Sequence, residues 1–175
     1  MQTKKPSDSA VEIAQVMMPE DANPAGNVFG GVIMKIIDQA AGIVASRHTH
    51  SNVVTASVDR IDFLNPAFIG NVVFAKASMN YVGRTSMEIG VRVEDECLIT
   101  GARAHIASAY LTYVALDSND EPLEVPLLEP QTKEEKRRFE EAKKRKEKRM
   151  KRIPDEVESK SNGQCIQRPN KIKKK

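Results

Sequence analysis

The stretch "PEDANPAGNVFGGVIMKIIDQAAG" (19–42) decides the fold and poses the functional question at once. Val32, Ile33, Ile36, Ile37, Ala40 and Val44 recur with a helical period that begins just after Gly30 and Gly31 and fades near His48, which predicts a helix of about five turns. One carboxylate, Asp38, lies inside it. With Ile33 at the centre of the apolar stripe, Asp38 stands roughly 140° around the helix at about 100° per residue, off the core face. Its neighbours at helical spacing, Met34, Ala41 and Gly42, are uncharged, and Lys35 is the one basic residue within helical reach. The pattern by itself leans towards a solvated mid-helix aspartate. A carboxylate turned to a ligand or a second backbone is the alternative.

Just upstream, Gly26, Gly30 and Gly31 permit close backbone approach, while Asn23 and Asn27 offer amides without charge. A loop of this kind feeding a helix N-terminus gathers free backbone N–H groups, which are donors suited to an oxyanion. A packing role for the glycines competes with that reading, and the lysine and spacing of a phosphate-binding P-loop are absent.

Downstream of His48 the period changes to two. "VVTASVDRIDFL" (53–64), "NVVFAKASMNYV" (71–82), "TSMEIGVRVEDE" (85–96) and "RAHIASAYLTYVALD" (103–117) are strand-like, with turn chemistry at "NPAFIGN" (65–71) and "GR" (83–84). A shorter strand around Ala10 to Met17 precedes the helix. The order strand, helix, four long strands predicts an α+β layer in which an antiparallel sheet curls around one long helix.

Charge places the boundaries. The 175 residues, 40% hydrophobic, suffice for one modest core. Residues 1–129 carry 9 Lys and Arg against 16 Asp and Glu, net −7, whereas residues 130–175 carry 18 against 8, net +10. The sign changes after "VPLLEP", so the expected organisation is a domain over 1–129, a charged helix over 130–152 and a basic, disordered tail over 153–175. Thr132 and Glu135 have the spacing of a capping box for that helix.

Several chemistries are disfavoured. His48, His50 and His105 have no Cys or Glu to complete a metal site, and His48 and His50 fall at a helix end, where a cation suits the dipole. There is no G-x-S-x-G elbow, and Cys97, expected in a strand, and Cys165 have no evident base partner. The lysine-rich end lacks aromatic interleaving over 140–175, so no specific nucleic-acid partner is expected. The first ten residues have no export h-region and no apolar run reaches membrane length; the expectation is a cytoplasmic protein without a membrane span.

Taken in order, "MMPEDANPAGNVFGGVIMKIIDQAAGIVASRH" (17–48), "NVVTASVDRIDFLNP" (52–66), "VGRTSMEI" (82–89) and "ASAYLTYVALD" (107–117) resemble the hotdog-fold acyl-CoA thioesterases of the cytosolic acyl-CoA hydrolase type. The resemblance runs over roughly residues 8 to 152 and implies the hotdog fold, with a long central helix wrapped by a curved antiparallel sheet plus the charged C-terminal helix. It implies hydrolysis of acyl-CoA to fatty acid and CoA, with Asp38 as general base or nucleophile and Asn23 positioning water or the carbonyl. Gly30 and Gly31 would supply oxyanion donors, with Asn27 a further substrate contact. "GRTS" resembles the coenzyme-binding turn, with Arg84 on a phosphate and Thr85 and Ser86 as hydroxyl donors. A solvated Arg84 is the competing reading. Some relatives have histidine where this chain has Phe29, so no catalytic histidine is expected. No metal and no separate cofactor are implied, since coenzyme A is part of the substrate. The expected assembly is a homodimer at minimum, and a trimer of dimers, with each site shared between subunits. A non-catalytic acyl-CoA binder on the same fold is the alternative. A hotdog dehydratase would want a histidine paired with an acid near this helix.

Overall fold

The computed structural model describes residues 3–157, with side chains as far as Lys151. Two compact units divide the chain, Met1–Ala142 and Lys143–Lys175.

The first unit opens with a short strand β1 (Thr3–Lys4), a single 3-10 turn at Pro6–Asp8 and strand β2 (Val11–Val16). A second 3-10 turn at Pro19–Asp21 starts the loop that leads into helix α1 (Gly30–Thr49). Four long strands follow, β3 (Asn52–Phe63), β4 (Val72–Val82), β5 (Ser86–Glu96) and β6 (Arg103–Leu116). The five-stranded sheet is antiparallel with order β2-β4-β5-β6-β3, and α1 packs against all five strands. Strand β7 (Leu127–Leu128) pairs with β1 in parallel, a small second sheet that the sequence pattern does not reveal.

The two periodicities meet in one core. Ile33, Ile36, Ile37, Ala40, Ala41 and Val44 of α1 are buried against Val73, Ala75 and Ala77 of β4 and against alternate residues of β5 and β6, among them Ile89, Val93, Ala109 and Leu111. This is the helix stripe meeting the inward face of a half-buried sheet. Met17, Met79 and Met87 fill the same core. Both edge strands, β2 and β3, are left open, and Val54 and Val58 on β3 remain 42% and 49% exposed.

The C-terminus of α1 is fixed from several sides. His50 closes it in the left-handed region at φ 52, its N–H donating to the Ser46 carbonyl at 2.7 Å. Lys4 Nζ donates to the carbonyl oxygens of His48 at 2.8 Å and Arg47 at 3.2 Å, the cation that the helix dipole favours. His48 does not play that part. It is fully buried, its Nε2 bonds the Pro126 carbonyl at 2.9 Å, and burial pushes its pKa below the ordinary value. The apolar surroundings that a helix-end position conceals in the sequence keep this imidazole neutral.

Helix α2 (Lys133–Val157) begins at the expected box: Thr132 Oγ1 accepts from Glu135 N–H at 3.1 Å, and Glu135 Oε2 accepts from Thr132 N–H at 2.9 Å. Its first ten residues belong to the first compact unit, where the Phe139 ring lies 5.0 Å from that of Tyr81 and Ala142 is fully buried. The second unit begins within this helix, which continues five residues beyond the expected end at 152. Most of the expected tail, with Cys165, lies outside the described residues. Cys97 falls just past β5 in the hairpin turn, where bonds from Thr100 hold its thiol pKa below the usual range.

Candidate active site

Three separate locations hold the residues singled out from the sequence. The first surrounds the N-terminus of α1. The Asn23 side chain folds back on its own loop, Oδ1 accepting from Ala25 N–H at 2.9 Å and Asn27 N–H at 3.2 Å. Its backbone N–H donates to the Asn27 carbonyl at 2.7 Å, and Gly26, at φ +86, completes a turn that favours glycine. The loop is then stitched to the β3–β4 connection by Val28 N–H on the Ala67 carbonyl and by a bridge between Asn27 and Phe68.

A pocket of about 310 Å³ results, lined by Asn23, Asn27 and Gly30 with Phe63, Asn65 and Ile106 among its other walls. Phe29 occupies the N-cap position without a capping side chain; the Val32 N–H bonds the Phe29 carbonyl at 2.9 Å, and no cap side chain takes the N–H groups of Gly30 and Gly31. A Cβ on Gly31 would overlap the ring of Phe29, which is 57% exposed and would have to swing aside. Amide donors, free helix N–H groups and an apolar wall together suit a carbonyl that acquires negative charge.

The second cluster is centred on Asp38. Its neighbours come from the sheet. Thr55 Oγ1 donates to Asp38 Oδ1 at 2.8 Å, and Tyr113 OH lies 2.6 Å from the same oxygen and 2.9 Å from the Asp38 carbonyl. Thr55 and Tyr113 are direct partners across the β3–β6 ladder, and a bulge immediately follows Thr55. A bulge bends a strand and re-aims its side chains, and here it sits where β3 turns a hydroxyl towards the helix. Tyr113 is 3% exposed; burial first, and then its bond to Asp38, hold its phenol well above the ordinary range.

The two clusters do not meet within one chain. Asp38 is absent from the pocket that holds Asn23, and at 1.5 Å per residue it lies about 12 Å along the helix axis from Gly30. The "GRTS" turn is a third location. Its backbone is tied down, Val125 N–H donating to the Arg84 carbonyl at 3.0 Å and Ala115 N–H to that of Thr85 at 3.2 Å, while the Arg84 side chain is 81% exposed and reaches Glu124 only at 4.0 Å. The turn backbone is therefore fixed, while the guanidinium is open to solvent and to an anion. Among the described residues no cluster of His, Cys, Asp and Glu is arranged to hold a metal ion.

Thr55 and Tyr113 escape a reading of the sequence for motifs, yet one signal was present. Tyr113 falls in the inward register of β6 between the apolar Leu111 and Ala115, and a tyrosine buried there needs an acceptor for its hydroxyl.

Residues 25–100 match the thioesterase superfamily. The cytosolic acyl coenzyme A thioester hydrolase of Rattus norvegicus is 43% identical over 139 residues, which are 78% of this chain but 36% of the rat protein, so the chain spans about a third of that relative. The uncharacterized acyl-CoA thioester hydrolase YkhA of Bacillus subtilis is 41% identical over 134 residues, 77% of this chain and 78% of the relative. Among solved structures, a hexameric acyl-CoA thioesterase superposes with a TM-score of 0.85 at 40% identity, covering 87% of this chain and 98% of that one. The acyl-CoA hydrolase of Staphylococcus aureus, solved with butyryl coenzyme A and coenzyme A, superposes at 0.84 with 34% identity over 90% of this chain and 96% of its own. A long helix on a five-stranded antiparallel sheet, matched over nearly the whole of these folds at such identities, leaves one assignment: the chain belongs to the hotdog-fold thioesterase superfamily, among the acyl-CoA thioester hydrolases.

Proposed function

We propose that this protein hydrolyses acyl-CoA thioesters to a carboxylic acid and free CoA. The observation that carries the proposal is the Asp38 carboxylate, exposed on a core helix and fixed by two hydroxyl donors from the sheet. Asp38 acts as general base on the attacking water, Asn23 orients water or carbonyl through its amide, and the N–H groups of Gly30 or Gly31 receive the developing oxyanion. Asn27 lines the same pocket and contacts the substrate there. Arg84, with the Thr85 and Ser86 hydroxyls, meets the phosphates of the coenzyme.

Relatives support this assignment of roles. The S. aureus hydrolase has been solved with an aspartate, an asparagine and a threonine each replaced by alanine, and those three positions have the same spacing as Asp38, Asn23 and Thr55 here. The chemistry needs only a carboxylate, an amide and backbone donors, so neither a metal nor a cofactor takes part.

The site is completed by a second copy of the chain. The distance along α1 between Gly30 and Asp38 separates the oxyanion donors from the base, and two helices packed side by side in opposite directions about a two-fold axis bring one start beside the other middle. The open edge of β3, with Val54 and Val58 exposed, offers the surface on which two sheets continue into one. The hexameric relative supports a trimer of such dimers. No helix among the described residues is long and apolar enough to cross a membrane, and with the cytosolic relatives this supports a cytoplasmic location.

The test is a panel of acyl-CoAs of increasing chain length with detection of free thiol, run with and without a chelator. Thiol released over time, unaffected by the chelator, is expected. Bound acyl-CoA that persists intact would make the protein a binder, and activity lost to the chelator and restored by Zn²⁺ would overturn the metal-free mechanism.

A further inference from the structure

Both donors to Asp38 converge on one of its two oxygens. Thr55 Oγ1 and Tyr113 OH bond Oδ1, at 2.8 and 2.6 Å, and Oδ2 has no hydrogen-bond partner among the described residues. We propose that Tyr113 is a positioning residue for this chain's hydrolytic base: with its cross-strand partner Thr55 it occupies Oδ1 and fixes the carboxylate plane, so that Oδ2 alone takes the proton from water. The proposal rests on the hydrolase reading given above.

The two bonds of Tyr113 explain why a tyrosine is suited to the task. Its oxygen lies 2.6 Å from Oδ1 and 2.9 Å from the main-chain carbonyl of the same residue, so the phenol registers both the side chain and the backbone of Asp38. A single hydroxyl proton serves mainly the shorter, charge-assisted contact. The ring is fixed in the sheet, 3% exposed and paired across the ladders with Thr55 on one side and Met87 on the other. Gly42, one turn along the helix, borders the phenol: a Cβ there would stand 3.6 Å from the Tyr113 hydroxyl, in ordinary contact, so the position of the phenol does not depend on glycine. The burial that raises the phenol pKa keeps it protonated, and so a donor, through the neutral range.

The step balances simply. As the water oxygen bonds the thioester carbonyl carbon, a water proton passes to Asp38 Oδ2; when the C–S bond breaks, that proton passes to the departing thiolate, giving carboxylic acid and CoA thiol. A carboxylate free to rotate would offer either oxygen, and half of its orientations would turn the lone pair away from the water. Two donors on Oδ1 remove that freedom without touching the substrate, which places their effect on turnover and not on binding.

Tyr113→Phe removes the hydroxyl and keeps the ring. It is expected to lower kcat about 10-fold, in the range of a lost hydrogen bond to a charged group, with KM within about twofold of wild type. In an Asp38→Asn background the same change should alter residual turnover by less than about twofold, because the two residues act as one unit. A readout independent of turnover is the Tyr113 ¹³Cζ resonance in tyrosine-labelled protein, identified by phenylalanine substitution of Tyr81 and Tyr110. It is expected to move on Asp38→Asn, and this measurement holds even if Tyr113→Phe does not fold. Unchanged kcat in Tyr113→Phe, a full additional loss in the double variant, or an unmoved resonance would each overturn the role of Tyr113 while the wild type still releases CoA. A wild type that releases no CoA would instead overturn the hydrolase reading itself.

Discussion

The loop that carries Asn23 and the helix that carries Asp38 are built on opposite plans. Asn23 is held by its own neighbourhood, its amide oxygen accepting from N–H groups two and four residues ahead, so its placement survives wherever the loop forms. Asp38 is held by residues 17 and 75 positions away in the chain, on two different strands. The Asn23 side chain is set by its own loop, which is anchored to the β3–β4 connection through Val28 and Asn27, whereas the base is only as well placed as the register of β3 and β6. Damage to the two should therefore leave distinct signatures.

The largest effect is expected at the base. Asp38→Asn should lower kcat by about 10²- to 10⁴-fold with fold and KM retained, the range for removal of a general base; single-turnover assays beside a thermal melt would check it, and near wild-type turnover would return Asp38 to a solvated surface role. Asn23→Ala should cost about 10²-fold in kcat, the lower end for loss of an oriented donor. Because it also frees the N–H groups of Ala25 and Asn27, it should raise KM and lower stability by about 1 kcal/mol, which Asp38→Asn does not. Equal signatures for the two variants would erase the contrast between loop and helix.

Smaller effects come from outside both clusters. Arg84→Ala should raise KM for acyl-CoA roughly 3- to 10-fold at unchanged kcat, since an exposed guanidinium contributes to binding alone. An unchanged KM would remove the "GRTS" turn from the coenzyme site.

Acid stability has the smallest signal. His48 is buried neutral with its folded pKa below 6.5, so the unfolded chain takes up its proton first and stability falls as pH drops below about 6.5. Glu94, held near 2 first by Arg92 and then by Lys76, adds stability that is complete above its ordinary value of 4.5 and is lost as pH falls towards about 2. Thermal melts from pH 8 to pH 3 should show both steps, and Glu94→Gln should remove the lower one.

What could be read in the sequence follows the same division. The period of Ile33, Ile36, Ile37 and Ala40 marked α1, and the alternation of β3 to β6 marked the sheet, because helix and strand periods are local properties. The Thr132 and Glu135 box marked the start of α2 for the same reason, and Asn23, Asn27 and the glycines marked a loop able to gather donors. Thr55 and Tyr113 were not marked, since their partnership with Asp38 depends on how β3 and β6 register and on the bulge after Thr55. The short parallel pair of β1 and β7 was hidden in the same way, being two residues long on each side and joined only by the closing of the chain. His48 was misread as a dipole cation because nothing local shows that Pro126 returns to cover it.

The central claim, that the loop of one subunit and the helix of the next make one site, is tested most directly by mixing two dead variants. Asn23→Ala and Asp38→Ala homodimers each have two broken sites, whereas a mixed dimer concentrates both lesions in one site and leaves the other whole. Co-refolded in equal amounts with random pairing, about half the dimers are mixed, and activity should return to roughly a quarter of wild type. Activity no higher than the mean of the two variants, with mixed dimers verified by mass, would contradict a shared site.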